Sequence, residues 1–359
     1  MTTNVVLWGL GAMASHMVNI LLNKRGFKIT GAIANRSSKA GQDLGRILKL
    51  DRDLGVTVTT RPEDALRNGK KGVVLHATRS FVRDIYEELR MALEKGYNVI
   101  SIAEELAYPY PREPDLSDNL NRIAKANGVS LLGTGVNPGF AMDTLIIALT
   151  GVCADVTHIH AKRINDLSCF GPTVMKTQGV GAGVDEFEKG IAKGEIVGHI
   201  GFQESIHMIA DSLGWKLDEI IQTKEAIITS IARQTEYVQI EKGQVAGCCH
   251  IARGIVGGCE KIVLEHPQQI RPEMEGVETG DFIRIRGTPD INLNIKPEIA
   301  GGVATAAIAV NMIPRIIGAA PGLWTMKDLP IPSAVLGTAG IGFNSLSNLK
   351  DHFLKGNDT

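Results

Sequence analysis

The first residues whose types and spacing could support chemistry are small ones near the start of the chain. Gly9 and Gly11 are followed by Ala12, Met13 and Ala14, and a short apolar run precedes them. Gly9 permits a tight turn, Gly11 lets the backbone approach a pyrophosphate, and Ala14, in the place of a third glycine, lets the next helix pack closely. The N-terminus of that helix would face the phosphates. The pattern therefore predicts a dinucleotide site at Gly9, Gly11, Ala12 and Met13.

The end of the second predicted strand, at Ala34, indicates which dinucleotide binds. A Rossmann fold usually places an acidic residue there to hold the ribose 2′-hydroxyl of NAD, but this sequence has Asn35, Arg36, Ser37 and Ser38. Asn35 would not repel a 2′-phosphate, Arg36 could clamp it, and both serines could donate hydrogen bonds. We therefore expect NADP to be preferred, with NAD possible. The alternative is an exposed loop that is merely basic.

Polar residues also follow the next three predicted strands. Thr78 and Arg79 follow the first, Glu104 and Glu105 follow the second, and Asn137 lies after the third. In a parallel sheet, ligands bind at the carboxyl ends of the strands. Thr78, Arg79 and Asn137 are therefore predicted to contact the cofactor. A carboxylate at this edge could act as a general base, but the residues alone do not distinguish Glu104 from Glu105.

The elements that must position these residues alternate between strand and helix. Short apolar runs at 4–8, 28–34, 73–77, 98–103 and 129–133 are typical of buried parallel strands, and helical spacing appears between several of them. This order predicts an α/β fold that begins with an N-terminal Rossmann domain, a doubly wound parallel sheet.

Chain length and a change of pattern indicate a second domain. At 359 residues the chain is too long for one ordinary core. We predict a dinucleotide-binding Rossmann domain over residues 1–140 and an α+β substrate-binding and dimerisation domain with a mixed or antiparallel sheet over 141–300. A C-terminal helix and tail, 301–359, would pack at the domain interface and back on the Rossmann domain. Hairpins are predicted at Lys242-Gly243 and Gly257-Gly258, and a helix from Phe140 to Leu149.

Composition argues against nucleic acid and membrane partners. The formal net charge is -1, with 44% hydrophobic and 21% charged residues, which gives no global attraction to either partner. No apolar stretch reaches the roughly 18 residues of a spanning helix, and the N-terminus lacks the basic start of a secretory signal. We therefore expect a cytoplasmic protein whose partners are small molecules or copies of itself.

Cysteine and histidine residues do not predict a metal site. Five scattered cysteines favour reduced thiols over disulfides. The segment 248–250 (CCH) and Cys259 lack the paired spacing of a zinc site, and buried structural cysteine is the better interpretation. His158 and His160 alternate on one predicted strand face, but no carboxylate accompanies them at ligand spacing.

Several longer stretches carry the motifs of one family. They are AEE at 103–105, LGTGVNPG at 132–139, FGPTVM at 170–175, GHIGFQES at 198–205, HPQQ at 266–269 and PGLWTMKDLP at 321–330. Together they resemble the 2,4-diaminopentanoate dehydrogenase family, which is related to native amine dehydrogenases and similar in fold to dihydrodipicolinate reductase. The resemblance implies oxidative deamination of 2,4-diaminopentanoate to 2-amino-4-oxopentanoate and ammonia with NAD(P)+, in ornithine degradation. It also implies a homodimer built largely through the second domain.

The resemblance further implies roles for individual residues. It places the catalytic glutamate at Glu104, while Glu105 would pair with a basic residue or cap the next segment. The substrate's α-carboxylate would be held by Arg163 and His199, and Asn165 and Thr305 would contribute less.

Other interpretations of these positions remain open. Arg163 could instead pair with Asp166 at the surface, and His199 could be an ordinary core or surface histidine. Phe140 and Phe170 could wall the substrate pocket or belong to the plain core. Two other functions are also compatible with the fold: a cyclic imine reductase like dihydrodipicolinate reductase, and a dinucleotide-binding sensor without catalysis.

Overall fold

The structure, a computed structural model, describes residues 2–67 and 72–336. The strands are β1 (Thr3–Trp8), β2 (Phe27–Ile33), β3 (Val58–Thr59), β4 (Val73–His76), β5 (Asn98–Ser101), β6 (Ser130–Gly133), β7 (Asp155–Asp166), β8 (Glu219–Ile228), β9 (Arg233–Gln234), β10 (Gln239–Ile240), β11 (Val245–Val256), β12 (Cys259–Gln269), β13 (Gly280–Thr288), β14 (Ile291–Ile295) and β15 (Gly322–Trp324). The α-helices are α1 (Ala12–Leu22), α2 (Leu44–Ile47), α3 (Pro62–Ala65), α4 (Val82–Glu94), α5 (Pro114–Ala126), α6 (Thr144–Thr150), α7 (Pro172–Thr177), α8 (Val184–Ala192), α9 (Phe202–Ser212), α10 (Gly301–Asn311) and α11 (Ile313–Gly318).

The chain divides into two units. The first contains the residues up to Gly135 and those from Gly302 onward, and the second is Val136–Gly301. The division lies near the expected limits at 140 and 300. In the first unit, β15 pairs in parallel with β6, so a strand of the C-terminal segment extends the N-terminal sheet.

The first unit is built on a seven-stranded sheet with the order β15-β6-β5-β4-β1-β2-β3. Every pairing in it is parallel, which confirms the predicted doubly wound sheet. β4 and β6 are buried along their whole length, as expected for strands covered on both faces. The amphipathic helix α4 packs Val82, Ile85 and Leu89 into the core beside the sheet.

The second unit contains a six-stranded sheet with the order β14-β13-β7-β12-β11-β8. β7 and β12 pair in parallel, and the other neighbours are antiparallel, so the predicted mixed sheet is confirmed. Burial alternates along β7, where Ile159, Ala161, Arg163 and Asn165 are buried. One face of this sheet is therefore covered, and it carries polar as well as apolar side chains.

Two local predictions were wrong. The hairpin at Gly257-Gly258 joins β11 to β12 as expected, but the one at Lys242-Gly243 does not form. The Gly243 N–H donates to the Thr229 carbonyl, so β11 returns beside β8 and not beside β10, which pairs with β9. The helix expected from Phe140 begins only at Thr144, because the Asp143 side chain caps its first turn.

The apolar segment Gly301–Gly318 also departs from expectation. It comprises α10 and α11 and is long and apolar enough to cross a membrane by composition alone. The prediction that no stretch reaches this length was therefore wrong. Ala306, Ile308, Ala309 and Val310 are buried in α10, and core helices commonly have this composition, so the segment is weak evidence for a membrane.

Candidate active site

The glycine loop between β1 and α1 fits a dinucleotide. Gly9 has φ +95, and a Cβ added there would lie 2.2 Å from the Ala77 carbonyl oxygen, so a side chain is excluded by both conformation and space. Gly11 is the N-cap residue of α1 and has open space where a Cβ would point. Backbone N–H groups of Ala12 and Met13 begin the helix beside that space. A pyrophosphate can therefore approach the helix N-terminus at Gly11.

A lysine that the sequence patterns did not single out contacts this loop. The Nζ of Lys39 donates to the Leu10 carbonyl oxygen at 2.6 Å, which places an ammonium group against the glycine loop. Lys39 ends the short 3-10 turn that begins at Ser37, and Arg36, Ser37 and Ser38 in front of it are exposed. The turn after β2 thus presents two cations and two hydroxyls, with one cation at the phosphate loop.

Three of the predicted cofactor residues converge on a carboxylate that sequence reasoning missed. Glu88 of α4 accepts hydrogen bonds from Thr78 (2.7 Å), Arg79 (3.2 Å) and Asn35 (3.4 Å). It also contacts Nε2 of the buried His76 at 2.7 Å. Burial opposes ionisation, but hydrogen bonds from His76 and Thr78 outweigh it and lower the pKa of Glu88 to about 2. The acidic residue near the end of β2 is therefore Glu88, which belongs to α4 and not to the segment after β2.

The same network reaches the end of β5. Nδ1 of His76 lies 2.9 Å from the Ser101 hydroxyl, which also accepts the Ala103 N–H at 3.2 Å. The Ser101 hydroxyl can donate to Nδ1 of His76 while it accepts the Ala103 N–H. Polar contacts thus run along the carboxyl edge of the sheet from Asn35 to the residue before Glu104.

The two adjacent glutamates have different environments. Glu105 is buried, accepts the Val82 N–H at 2.7 Å and pairs with Arg112 at 3.0 Å. It therefore pairs with a basic residue, but it caps the preceding helix α4 and not the next segment. Glu104 is half-buried at the carboxyl end of β5, and burial raises its pKa despite hydrogen bonds from its own backbone and from Ser80. Glu104 is the carboxyl group suited to proton transfer.

In the second unit, sheet register aligns a row of polar side chains across five strands. Lys224 of β8 is opposite His250 of β11, and His250 is opposite His266 of β12. On β12, His266 follows Glu265, which pairs with Lys162 of β7, so His266 lies beside Arg163. Arg163 is in turn opposite Asp281 of β13. We call these five residues, Lys224, His250, His266, Arg163 and Asp281, the polar row.

Arg163 in this row is buried and ion-paired. Its guanidinium contacts the Asp281 carboxylate and the Ile299 carbonyl oxygen. The alternative of a surface pair with Asp166 was therefore wrong, because Asp166 instead accepts from Ser168 and from the Arg271 N–H. A buried guanidinium with one partner carboxylate retains N–H donors for a further anionic oxygen.

His199 lies over the polar row on the loop before α9. Its ring centroid is 4.9 Å from that of His266 and 4.7 Å from that of Phe202, and its backbone N–H donates to Nδ1 of His250 at 2.9 Å. Gly198 makes this approach possible, since it has φ +67 and a Cβ there would lie 2.8 Å from His250 Nδ1. His199 is thus held by the row and is no isolated histidine.

These histidines are neutral. Burial, and then His250 and Arg163, lower the pKa of His199 to about 3, and burial and Lys224 lower that of His250 to about 4. Burial, His199 and Arg163 also hold the pKa of His266 well below its ordinary range. Asn165 joins the cluster because its Oδ1 is 2.9 Å from His266 Nε2. Arg163, His199 and Asn165 are therefore brought together as expected, and His250 and His266 are additional members.

The loop that carries Asn137 contacts the His199 loop within the same unit. A Cβ at Gly201 would lie 2.4 Å from Pro138 Cδ. The fully buried Asp143 fixes the Asn137 loop by accepting the Gly139 N–H at 2.7 Å and the Ser205 hydroxyl at 2.9 Å. Oδ1 of Asn137 is buried and has no hydrogen-bond partner among the described residues. It is thus available to a ligand amide.

The remaining candidate residues lie at scattered positions. Phe170 packs against the core cluster that includes Leu167 and Met175, which favours the plain core interpretation. Phe140 is half-buried in the turn before α6. Thr305 is half-buried in α10, in the first unit.

The histidines on the other face of β7 do have carboxylate partners. His160 lies 3.1 Å from Glu265 and His158 lies 3.9 Å from Glu260. These carboxylates come from β12, so their contact with the histidines depends on strand pairing and not on spacing along β7. Even so, residues 2–67 and 72–336 contain no group of three or more side chains placed to hold a metal.

Comparisons with known proteins decide the family. A family model described as the 2,4-diaminopentanoate dehydrogenase C-terminal domain matches residues 140–342, and one described as the dihydrodipicolinate reductase N-terminus matches residues 3–102. The 2,4-diaminopentanoate dehydrogenase of Acetoanaerobium sticklandii is 47% identical over 335 residues, which are 93% of this chain and 95% of that protein. The chain belongs to the 2,4-diaminopentanoate dehydrogenase family.

More distant relatives agree with this family assignment. The amine dehydrogenase of Streptomyces virginiae is 27% identical over 92% of this chain and 97% of its own length. The structure of the amine dehydrogenase from Mycobacterium smegmatis has a TM-score of 0.81 and 29% identity, covering 93% of this chain and 97% of that one. Members of the 2,4-diaminopentanoate dehydrogenase family are oxidoreductases, and the glycine loop of this chain fits the nicotinamide dinucleotide such enzymes need.

Proposed function

We propose that this protein catalyses the oxidative deamination of 2,4-diaminopentanoate to 2-amino-4-oxopentanoate and ammonia, as a step of ornithine degradation. The observation that carries the proposal is Glu104, a half-buried carboxyl group with a raised pKa at the carboxyl end of β5, beside the strands that form the dinucleotide site. The 47% identity to a protein named for this substrate supports it.

Glu104 supplies the proton transfers that the reaction needs. The ammonium on C4 must lose a proton before the C4–H bond can break, and the Glu104 carboxylate accepts that proton. Bound NAD(P)+ supplies the acceptor for the hydride from C4. Glu104 releases that proton to solvent and, ionised again, removes a proton from the water that adds to the C4=N bond. It returns this proton to the nitrogen, and the C–N bond breaks to release ammonia as the C4 hydroxyl loses its proton and becomes the carbonyl. Its negative charge also favours the cationic iminium during this sequence.

The second unit supplies donors for the other end of the substrate. We propose that Arg163, His199 and Asn165 hold the α-carboxylate, with Thr305 as a lesser contributor. The support is that Arg163 and Asn165 are buried beside His199, whose Nε2 has no hydrogen-bond partner among the described residues. Such buried polar atoms are costly unless a ligand satisfies them. Phe140 would exclude water from the same region, and Phe170 would support the core behind it.

We also propose that NADP is preferred and NAD is accepted. Arg36, Ser37 and Ser38 are exposed after β2, and the Lys39 ammonium lies against the glycine loop. Glu88 is the carboxylate nearest to Asn35 among the contacts described above, and its oxygens already accept from four side chains. A 2′-phosphate would therefore meet more uncompensated positive charge than negative charge.

We further propose a cytoplasmic homodimer. All five cysteines are unpaired, which suits a reducing compartment. Size-exclusion chromatography with light scattering would test the dimer, which a monomer at micromolar concentration would contradict.

The function is tested by following reduction of NADP+ and NAD+ with 2,4-diaminopentanoate and measuring ammonia in the same reaction. We expect equal amounts of reduced cofactor and ammonia, with a higher kcat/KM for NADP+. 2-Aminopentanoate, which lacks the 4-amine, is the control and should not be oxidised. If the protein binds the cofactor but oxidises neither 2,4-diaminopentanoate nor simple amines, it would instead be a sensor.

A further inference from the structure

Two ring nitrogens of the polar row have no hydrogen-bond partner among the described residues. They are Nε2 of His250 and Nδ1 of His266, and both atoms are buried. The two side chains are 2% and 5% exposed, so solvent does not satisfy them. His250 and His266 are directly opposite each other on antiparallel strands, where Cβ atoms lie about 4.5–5.5 Å apart. The two unsatisfied nitrogens therefore belong to neighbouring residues on one face of the sheet.

The partners of the other two nitrogens assign the hydrogens. Nδ1 of His250 accepts the His199 backbone N–H at 2.9 Å, so in the neutral ring Nε2 carries the hydrogen and is a donor. Nε2 of His266 donates to Asn165 Oδ1 at 2.9 Å, so Nδ1 carries the lone pair and is an acceptor. The row thus presents one buried donor next to one buried acceptor.

This pairing matches a zwitterion better than a lone carboxylate. A carboxylate could accept from His250 Nε2, but it would repel the lone pair at His266 Nδ1. An α-amino acid carries an ammonium next to the carboxylate and satisfies both nitrogens. The adjacent Arg163 is already paired with Asp281, which reduces the repulsion that its charge would exert on an ammonium.

We infer that His266 and His250 read the α-amino acid head group of the substrate, with His266 Nδ1 accepting from the 2-ammonium and His250 Nε2 donating to the carboxylate. This inference rests on the proposed function and names the two residues that would determine its substrate specificity. The enzyme then distinguishes 2,4-diaminopentanoate from 4-aminopentanoate, which has the same reactive amine and carboxylate but no 2-ammonium.

The test compares kcat/KM for these two substrates in the full-length wild-type enzyme and in His266→Leu. A hydrogen bond to a charged group changes binding by about 10- to 100-fold. We expect the wild-type enzyme to prefer 2,4-diaminopentanoate by about that factor and the ratio to approach one in His266→Leu. His266→Gln, whose side-chain oxygen can accept a hydrogen bond, should retain part of the preference.

The matched control is His158→Leu, the same change at a histidine of β7 on the opposite face of the sheet. Its ratio of kcat/KM for the two substrates should stay at the wild-type value. A readout independent of turnover is nitrogen-15 NMR of labelled histidine, in which His266 should remain neutral with Nδ1 unprotonated after substrate binds. This measurement can overturn the inference even if His266→Leu does not fold.

Two results would overturn the inference. One is an unchanged substrate ratio in folded His266→Leu. The other is protonation of both His266 nitrogens on substrate binding, which would make the ring a carboxylate ligand. A wild-type enzyme that oxidises neither substrate would reject the proposed function itself, whereas oxidation of both without preference would leave that function in place and reject only the head-group assignment.

Discussion

We expect Glu104→Gln to lower the catalytic rate and Glu105→Gln to lower stability, although the two residues are neighbours in the sequence. Glutamine at 104 keeps the size of the side chain but cannot accept a proton. Loss of a general base typically lowers the rate about 10²- to 10⁴-fold, or about 3 to 5 kcal/mol of transition-state stabilisation. The folded protein should not lose stability, because burial raises the pKa of Glu104 and thus disfavours the ionised carboxylate that glutamine removes.

Glu105→Gln should mainly affect stability. Its carboxylate accepts the Val82 N–H at the start of α4 and pairs with Arg112, and it is buried. Weakening this contact in a buried site should lower the free energy of unfolding by about 1–3 kcal/mol. Because Arg112 is 44% exposed, its share of that loss is small. The rate in the folded fraction should stay within a few-fold of the wild-type rate.

The assay measures kcat, its pH dependence and urea unfolding for both variants. Activity needs ionised Glu104, so wild-type kcat/KM should fall with decreasing pH through a pKa above the ordinary glutamate value of about 4.3. This acid limb should be absent in Glu104→Gln and present in Glu105→Gln. Nearly full turnover in Glu104→Gln, or the loss of the acid limb in Glu105→Gln, would refute the assignment of the base.

Three further predictions concern the framework around the site. Gly11→Ala places a methyl group in the open space proposed for the pyrophosphate, so the melting temperature should be unchanged while the cofactor Kd, measured by fluorescence titration, rises at least about tenfold. Gly9→Ala should instead lower the melting temperature, because the added Cβ would meet the Ala77 carbonyl oxygen. The pKa of Glu88 is about 2 in the folded protein and near 4.3 in the unfolded chain, so the stability that its ionised carboxylate contributes, about 3 kcal/mol, should be complete above pH 4.3 and lost as the pH falls toward 2. Urea unfolding at a series of pH values measures this loss, and the pH dependence should be weaker in Glu88→Gln. Arg163→Met leaves buried Asp281 unpaired and should cost about 3–5 kcal/mol in urea unfolding, and a double variant that also removes the carboxylate should recover much of it.

The order of elements in the first unit was readable from the sequence because the signals are local. Apolar runs of strand length, the spacing in α4 and the glycine loop each depend on residues close in the chain. The Gly257-Gly258 hairpin was readable for the same reason. The Lys242-Gly243 hairpin failed because a turn signal does not specify which strand the chain returns to, and here β8 is the partner.

Neither glutamate could be chosen from its own neighbourhood in the sequence. Glu105 differs from Glu104 only because Val82 and Arg112, at a distance along the chain, contact it. Glu88 was missed for a similar reason, since the residues that converge on it come from β2, β4 and α4.

The sequence by itself determined the doubly wound sheet, the dinucleotide loop and the edge of the sheet at which Glu104 would lie. Only the tertiary structure decided which glutamate is held by a helix and an arginine, and which histidines join Arg163. The polar row draws its members from five strands, and Arg163 and Asp281 are 118 residues apart. Such a row exists only through strand register, which is set by the packing of a whole sheet and has no short-range pattern in the chain.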